Sequence, residues 1–99
     1  MGSPLYMAPE IIKRVPYDEK VDIWSLGVII YILLSGRPPF AGRTKQEIFL
    51  HVTTQPIEFE DNIWSKVSKE AKSFLKLMLV RDPRKRSPAS ELLKHEWIT

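Results

Sequence analysis

Few side chains in this 99-residue sequence have the type and spacing that chemistry requires. Asp22 places one carboxylate near the start of an apolar segment, where a buried charge needs hydrogen-bond donors. His51 and His95 have no partners at metal-ligand spacing, and the sequence contains no cysteine, which excludes disulfides and thiolate sites. We therefore predict no metal site, and Asp22 is the side chain whose surroundings need explaining.

A basic cluster near the end of the sequence raises the alternative of nucleic-acid binding. Its members are Arg81, Arg84, Lys85 and Arg86, in a chain of net charge +3. No interleaved aromatic residues or nucleic-acid motif accompany them. We interpret the cluster as a solvated loop with one structural arginine and predict no nucleic-acid partner.

Composition indicates a single small soluble domain, with 43% hydrophobic and 27% charged residues. No signal peptide is visible, and the absence of cysteine fits a reducing compartment, so we expect a cytoplasmic protein. The longest apolar stretch, residues 26–34, is far shorter than the roughly 20 residues of a membrane span. We therefore predict no membrane span.

The apolar segment around Asp22, residues 21–34, is too long for a typical strand and favours a helix. We predict that this helix runs from about Glu19 to Ser35, with Asp18 as N-cap and Gly36 as left-handed C-cap. The helix is apolar on all sides, which is typical of a helix in the middle of a core.

Shorter helices joined by proline-marked loops account for most of the remaining sequence. The first is predicted over residues 8–14, and a capping box at Thr44 opens another to about residue 53. An irregular loop follows over residues 55–66. Ser68 caps a helix whose apolar residues repeat at helical spacing: Ala71, Phe74, Leu75, Met78 and Leu79. Ser87 and Pro88 open a last helix to about His95, with Leu92 and Leu93 directed inward.

The predicted fold is thus all-α, with a buried central helix and shorter helices around it. Three outer helices, each with one apolar stripe, cover only part of the central one. Asp22 likewise has no obvious donor in this sequence. Both observations are explained if the chain is part of a larger domain.

Four motifs, in order along the chain, resemble the C-terminal part of a eukaryotic Ser/Thr protein kinase catalytic domain. They are Ala8-Pro9-Glu10, Asp22-Ile23-Trp24-Ser25-Leu26-Gly27, Gly36-Arg37-Pro38-Pro39-Phe40, and Asp82-Pro83-Arg84-Lys85-Arg86 followed by His95-Glu96-Trp97-Ile98, in which Glu96 replaces the usual proline. The amino-acid sequences of two segments, IIYILLSGRPPF and residues 64–72, are most similar to the calcium/calmodulin-dependent group of kinases. Within that group they most resemble plant and protist calcium-dependent protein kinases.

The resemblance implies a partial kinase domain over residues 1–99, from the end of the activation segment to the final helix of the large lobe. The glycine-rich loop, the catalytic loop and the metal-binding Asp-Phe-Gly are absent from this sequence. We therefore expect no catalytic or cofactor-binding residue here and no activity of the chain alone. ATP and Mg would be bound by the parent kinase. The implied partners are protein substrates, the upstream lobe and a calmodulin-like calcium sensor, and the fragment is a candidate for self-association.

The resemblance also implies roles for individual residues. Ser3, Pro4 and Met7 would bind the protein substrate, with an ordinary turn as the alternative for each. The remaining candidates would support the active site structurally: Tyr6, Glu10, Asp22, Trp24, Ile29, Leu33 and Arg86. Asp22 would accept backbone N–H bonds from the catalytic loop, and Ile29 and Leu33 would prop the apolar stack that ends at the adenine ring. Ile32 replaces a glutamate with which some kinases read a substrate arginine.

Glu10 and Arg86 occupy the positions that form a salt bridge in the kinases the sequence resembles. We predict this pairing here, with Arg84 and Lys85 facing solvent. A second class of function is also compatible with the sequence: a non-catalytic helical interaction module or pseudokinase remnant that uses the exposed core surface.

Overall fold

The computed structural model describes residues 4–59 and 62–99, and within these ranges the chain contains helices and no strand. Five α-helices follow one another: α1 (Pro9–Ile12), α2 (Lys20–Ser35), α3 (Lys45–Thr54), α4 (Lys69–Met78) and α5 (Ala89–Leu92). Short 3₁₀ turns occupy Pro4–Tyr6 and Trp64–Lys66. The predicted all-α fold with a long central helix is confirmed.

Helix α2 ends as the sequence predicts and begins one residue later than predicted. Gly36 has a φ of 80°, and its N–H donates to the carbonyl of Ile32 at 2.7 Å. At the other end Glu19, not Asp18, is the N-cap residue, and its side chain makes no capping bond. Asp18 still contributes, because its carboxylate accepts the N–H of Lys20 at 2.9 Å.

Two helices have the side-chain caps that their sequences predict. The Thr44 hydroxyl accepts the N–H of Glu47 at 3.1 Å, and the Glu47 carboxylate accepts the N–H of Arg43 at 3.0 Å, one residue before the position of a standard capping box. The Ser68 hydroxyl accepts the N–H of Ala71 at 3.1 Å. These bonds satisfy N–H groups that have no partner within the helix.

The first and last helices are shorter than predicted. Helix α1 stops at Ile12, and Arg14 just beyond it has a φ of 58°. Helix α5 ends at Leu92 rather than near His95, and its N-cap is Pro88 rather than Ser87. The prediction that Leu93 points inward is wrong, since this residue is 67% exposed, whereas Leu92 is buried. With only one turn of helix here, the sequence pattern could not fix which leucine faces the core.

Helix α2 packs closely on α4 because Gly27 lies at their contact. A Cβ atom at this position would come within 2.9 Å of Leu79 Cδ2 and 3.1 Å of Met78 Cβ. All five apolar residues predicted for the buried face of α4 and its C-terminus are buried: Ala71, Phe74, Leu75, Met78 and Leu79. The glycine therefore lets two apolar surfaces meet at a short distance.

One side of α2 is not covered by the rest of the chain. Leu26, Ile29 and Leu33 are 48%, 43% and 78% exposed, although Trp24 and Val28 on the opposite side are completely buried. The expectation that the outer helices cover only part of the central one is therefore confirmed. No helix within the described residues is long and apolar enough to cross a bilayer.

Candidate functional site

The segment predicted to receive substrate forms a turn that is fixed to helix α2. Pro4 lies in the first 3₁₀ turn, and the N–H of Met7 donates to the Pro4 carbonyl at 3.3 Å. Ser25 donates its hydroxyl to the backbone carbonyl of Tyr6 at 2.7 Å, while the Tyr6 side chain packs against the core. Both Pro4 and Met7 are half-buried. Ser3 lies outside the described residues.

Helix α1 carries the buried carboxylate of the site. Pro9 occupies the first turn of α1, where a missing N–H is tolerated, and Glu10 follows it. The two Glu10 carboxylate oxygens accept from the two terminal nitrogens of Arg86, with Nη1–Oε2 at 2.7 Å and Nη2–Oε1 at 2.9 Å. The two side chains are 2% and 0% exposed. The predicted pairing across 76 positions of sequence is present as a bidentate salt bridge.

Arg86 uses its whole guanidinium group in this position. Besides the two bonds to Glu10, its Nε donates to the Val80 carbonyl at 2.7 Å, Nη1 to the Lys20 carbonyl at 2.8 Å, and Nη2 to the Arg81 carbonyl at 3.2 Å. Arginine has five N–H donors, and five acceptors surround it. This full satisfaction offsets the desolvation penalty of burying a charge.

Aromatic rings extend this charged centre through the core. The Arg86 guanidinium carbon lies 5.2 Å from the centre of the Trp24 ring. Trp24 in turn stacks on Phe40, with ring centres 6.1 Å apart and planes only 6° from parallel. Arg81 contacts the other ring of this pair, with its guanidinium carbon 5.3 Å from the centre of the Phe40 ring. The order Arg86–Trp24–Phe40–Arg81 thus places an arginine at each end of an aromatic pair, and we call these four side chains the arginine–aromatic stack.

The other cations of this loop behave differently. Arg84 is exposed, and its only carboxylate partner among the described residues is Asp82, 3.2 Å away in the same loop. Hydrogen bonds from Arg84 lower the pKa of Asp82, and the same contact raises the pKa of Arg84. Lys85 is exposed. The expectation that Arg84 and Lys85 face solvent is confirmed.

The expectation that the Asp22 carboxylate is buried is wrong for this chain. Asp22 lies in the first turn of α2, it is exposed, and its side chain makes no hydrogen bond to any residue within the described ranges. With Leu26, Ile29 and Leu33 it follows the spacing of a single helix face. We call these four residues the open stripe. A carboxylate at one end of an uncovered apolar surface costs nothing in this chain, because water still solvates it.

Comparison with known proteins places these features in a family. The family model described as protein kinase domain matches residues 1–98. This chain belongs to the protein kinase family. Calcium-dependent protein kinase 27 of Oryza sativa subsp. japonica is 50% identical over 98 residues, which are 99% of this chain and 16% of that protein.

Two other relatives come from different organisms. Myosin light chain kinase A of Dictyostelium discoideum is 47% identical over 98% of this kinase chain and 33% of its own length. Calcium/calmodulin-dependent protein kinase type 1B of Homo sapiens is 43% identical over 99% of the chain and 29% of its own length. The chain thus spans between about a sixth and a third of these relatives.

The structure brings most of the predicted residues together in two groups. Glu10, Trp24 and Arg86 meet in the buried centre, close to the turn that holds Pro4 and Tyr6. Asp22, Ile29 and Leu33 lie together on the open stripe. Sequence analysis missed Ser25 and Arg81, since their partners are backbone carbonyls distant in sequence, which no local pattern reveals.

Proposed function

We propose that this chain is a segment of a Ser/Thr protein kinase that transfers the γ-phosphate of ATP to protein side chains. In this proposal residues 1–99 supply substrate docking and scaffold, and the catalytic groups lie upstream. The observation that carries the proposal is the bidentate Glu10–Arg86 bridge, whose carboxylate lies in α1, the helix that directly follows the Pro4–Met7 turn. It ties the docking segment to the loop before α5, as a positioned substrate platform requires.

Each predicted residue has a role in this proposal. Ser3 favours Ser/Thr substrates, while Pro4 and Met7 contact the residue that follows the phosphate acceptor. Tyr6 and Trp24 support this segment from below. The open stripe receives the upstream lobe: Asp22 accepts N–H bonds from the catalytic loop, and Ile29 and Leu33 prop the apolar stack beneath the nucleotide. Contact with that lobe would cover an apolar surface that is exposed here.

The proposal assigns nucleotide and metal binding to the upstream part of the kinase. Within residues 4–59 and 62–99 no group of three or more His, Cys, Asp or Glu side chains could hold a metal ion. We propose ATP and Mg as ligands of the parent kinase only. The resemblance to calcium-dependent and calcium/calmodulin-dependent kinases supports calcium regulation through a calmodulin-like sensor. We also propose a cytoplasmic location for the parent kinase.

A chimera tests the proposal. Residues 1–98 replace the matching 98 residues of the rice kinase, and phosphate transfer from ATP to a basic peptide is measured in the presence of magnesium. We expect the chimera to phosphorylate Ser or Thr, and the isolated 99-residue chain to give no phosphopeptide above the blank without enzyme. A folded chimera without activity, or an active isolated chain, would overturn the proposal.

The open stripe also supports a second candidate function, a helical interaction module without catalysis. An exposed apolar surface on a central helix is typical of a protein-binding site. This alternative predicts that the chimera folds but transfers no phosphate, and that the isolated chain captures a partner through Leu26 and Leu33. The two candidates therefore differ in the activity of the chimera.

A further inference from the structure

Arg81 has more partners than a solvated loop arginine would have. Its Nε donates to the Val52 carbonyl at 2.7 Å, and its Nη2 donates to the carbonyls of His51, at 3.2 Å, and Gln55. These three carbonyls belong to the C-terminal turn of α3 and to its C-cap residue. Arg81 thus lies 26 to 30 residues away in sequence from the groups it binds.

The chemistry of a helix end explains why an arginine suits this place. The last carbonyls of a helix lack N–H partners within the helix, and the helix dipole makes that end negative. A planar guanidinium can reach several of these carbonyls at once, whereas a lysine offers a single ammonium group. Burial lowers the pKa of Arg81, which agrees with its partly enclosed position.

The other face of Arg81 connects α3 to the buried centre. The guanidinium carbon lies over Phe40, which stacks on Trp24, and Trp24 lies against Arg86 and therefore against the bridge to Glu10. The arginine–aromatic stack consequently joins the end of α3 to the Glu10 carboxylate of α1, the helix that follows the docking turn. Helix α3 itself lies against α1 and against the 3₁₀ turn Pro4–Tyr6.

We propose that Arg81 is a positioning residue that holds helix α3 against the substrate-docking turn and so sets the affinity of the kinase for its protein substrate. The inference rests on the proposed kinase function. It assigns Arg81 no contact with substrate or nucleotide, because its Nε and Nη2 donate to the end of α3. Loss of Arg81 should therefore weaken peptide binding without changing the nucleotide site.

The test combines kinetics in the chimera with hydrogen exchange in the 99-residue chain. Arg81→Gln removes both the charge and the planar guanidinium with its donors, whereas Arg81→Lys keeps the charge alone. Arg84→Gln is the matched control in the same loop. We expect both Arg81 variants to raise KM for the peptide about tenfold, which corresponds to about 1.4 kcal/mol. Turnover and KM for ATP should stay within about twofold, and Arg84→Gln should leave all three constants unchanged.

Amide exchange at residues 52–55 reports on the end of α3 without any need for activity. We expect both Arg81 variants to accelerate exchange there, and Arg84→Gln to have no effect. An inactive unsubstituted chimera would refute the kinase function but leave the anchoring of α3 measurable by exchange. The positioning role itself is refuted by unchanged exchange, by an unchanged KM for the peptide, or by an equal rise in KM for peptide and ATP. If Arg81→Gln fails to fold, Arg81→Lys carries both measurements.

Discussion

Replacing Arg86 with alanine leaves the Glu10 carboxylate buried without its counter-charge, and the structure lets the cost be estimated. Both side chains are almost fully enclosed, and the substitution removes five hydrogen bonds together with the contact to Trp24. Breaking a buried pair in this way costs about 3–5 kcal/mol, a large part of the roughly 5–15 kcal/mol that stabilises a typical domain.

Thermal unfolding of the chimera measures this cost. At about 2–4 °C per kcal/mol for domains of 150–250 residues, Arg86→Ala should lower the melting temperature by roughly 6–20 °C. Arg84→Ala is the control, because that side chain is exposed and pairs only with Asp82 among the described residues; it should change the melting temperature by no more than about 2–4 °C. Phosphate transfer should fall with Arg86→Ala and persist with Arg84→Ala.

A double-mutant cycle separates the contribution of the ion pair to stability from that of the general loss of packing. Glu10→Gln combined with Arg86→Met should be less destabilising than the sum of the two single changes, because the double variant leaves no unpaired charge. Arg86→Lys should not restore stability, since an ammonium cannot replace five donors in a planar fork. A melting temperature for Arg86→Ala equal to that of Arg84→Ala would show that the Glu10–Arg86 bridge does not stabilise the chimera.

Three further predictions concern other parts of the chain. Gly27→Ala should destabilise the chimera by about 1–3 kcal/mol through overpacking against Leu79, seen as a lower melting temperature; full stability would show that α2 and α4 can separate without cost. Burial raises the pKa of Tyr31 above 10.0, so its stabilising effect is complete below that pH and lost as the pH rises through the folded pKa. Between pH 8 and pH 11 the free energy of unfolding, measured with urea, should therefore fall less for Tyr31→Phe than for the unsubstituted protein. Equal decreases in the two proteins would refute the assignment. The isolated chain should self-associate and bind a hydrophobic dye, with both signals reduced by Leu33→Lys; a monodisperse unsubstituted chain without dye binding would contradict this.

Much of the fold could be predicted because local rules agree with tertiary packing. The left-handed cap at Gly36 and the hydroxyl caps at Thr44 and Ser68 follow from residue type and position. The apolar repeat of α4 identified its buried face correctly. In α2 the apolar pattern predicted the length of the helix but could not identify a buried face, because apolar residues lie on every side.

The remaining features depend on contacts that no local pattern encodes. Asp22 is exposed because the surface around it has no covering element in this chain, so its burial could not be judged from its apolar neighbours. The Glu10–Arg86 pairing was predicted from motif resemblance, whereas Arg81 looked like another cation of a solvated loop. Backbone carbonyls bind Arg81, and their positions exist only once α3 has packed.

In the proposed kinase the upstream lobe rests on the open stripe. The sequence contains no cysteine, so single cysteines can be introduced and their labelling located by peptide mass spectrometry. Leu33→Cys probes the stripe, and Tyr17→Cys, at a residue of similar exposure, is the control. In the isolated chain, at a concentration low enough to keep it monomeric, both sites should react quickly with a thiol reagent. In the chimera Leu33→Cys should react at least about tenfold more slowly, because a local opening that costs about 1.4 kcal/mol must first expose the cysteine. Tyr17→Cys should react at the same rate as in the isolated chain. Equal labelling of Leu33→Cys in the isolated chain and in a folded chimera would show that the upstream lobe does not cover the open stripe.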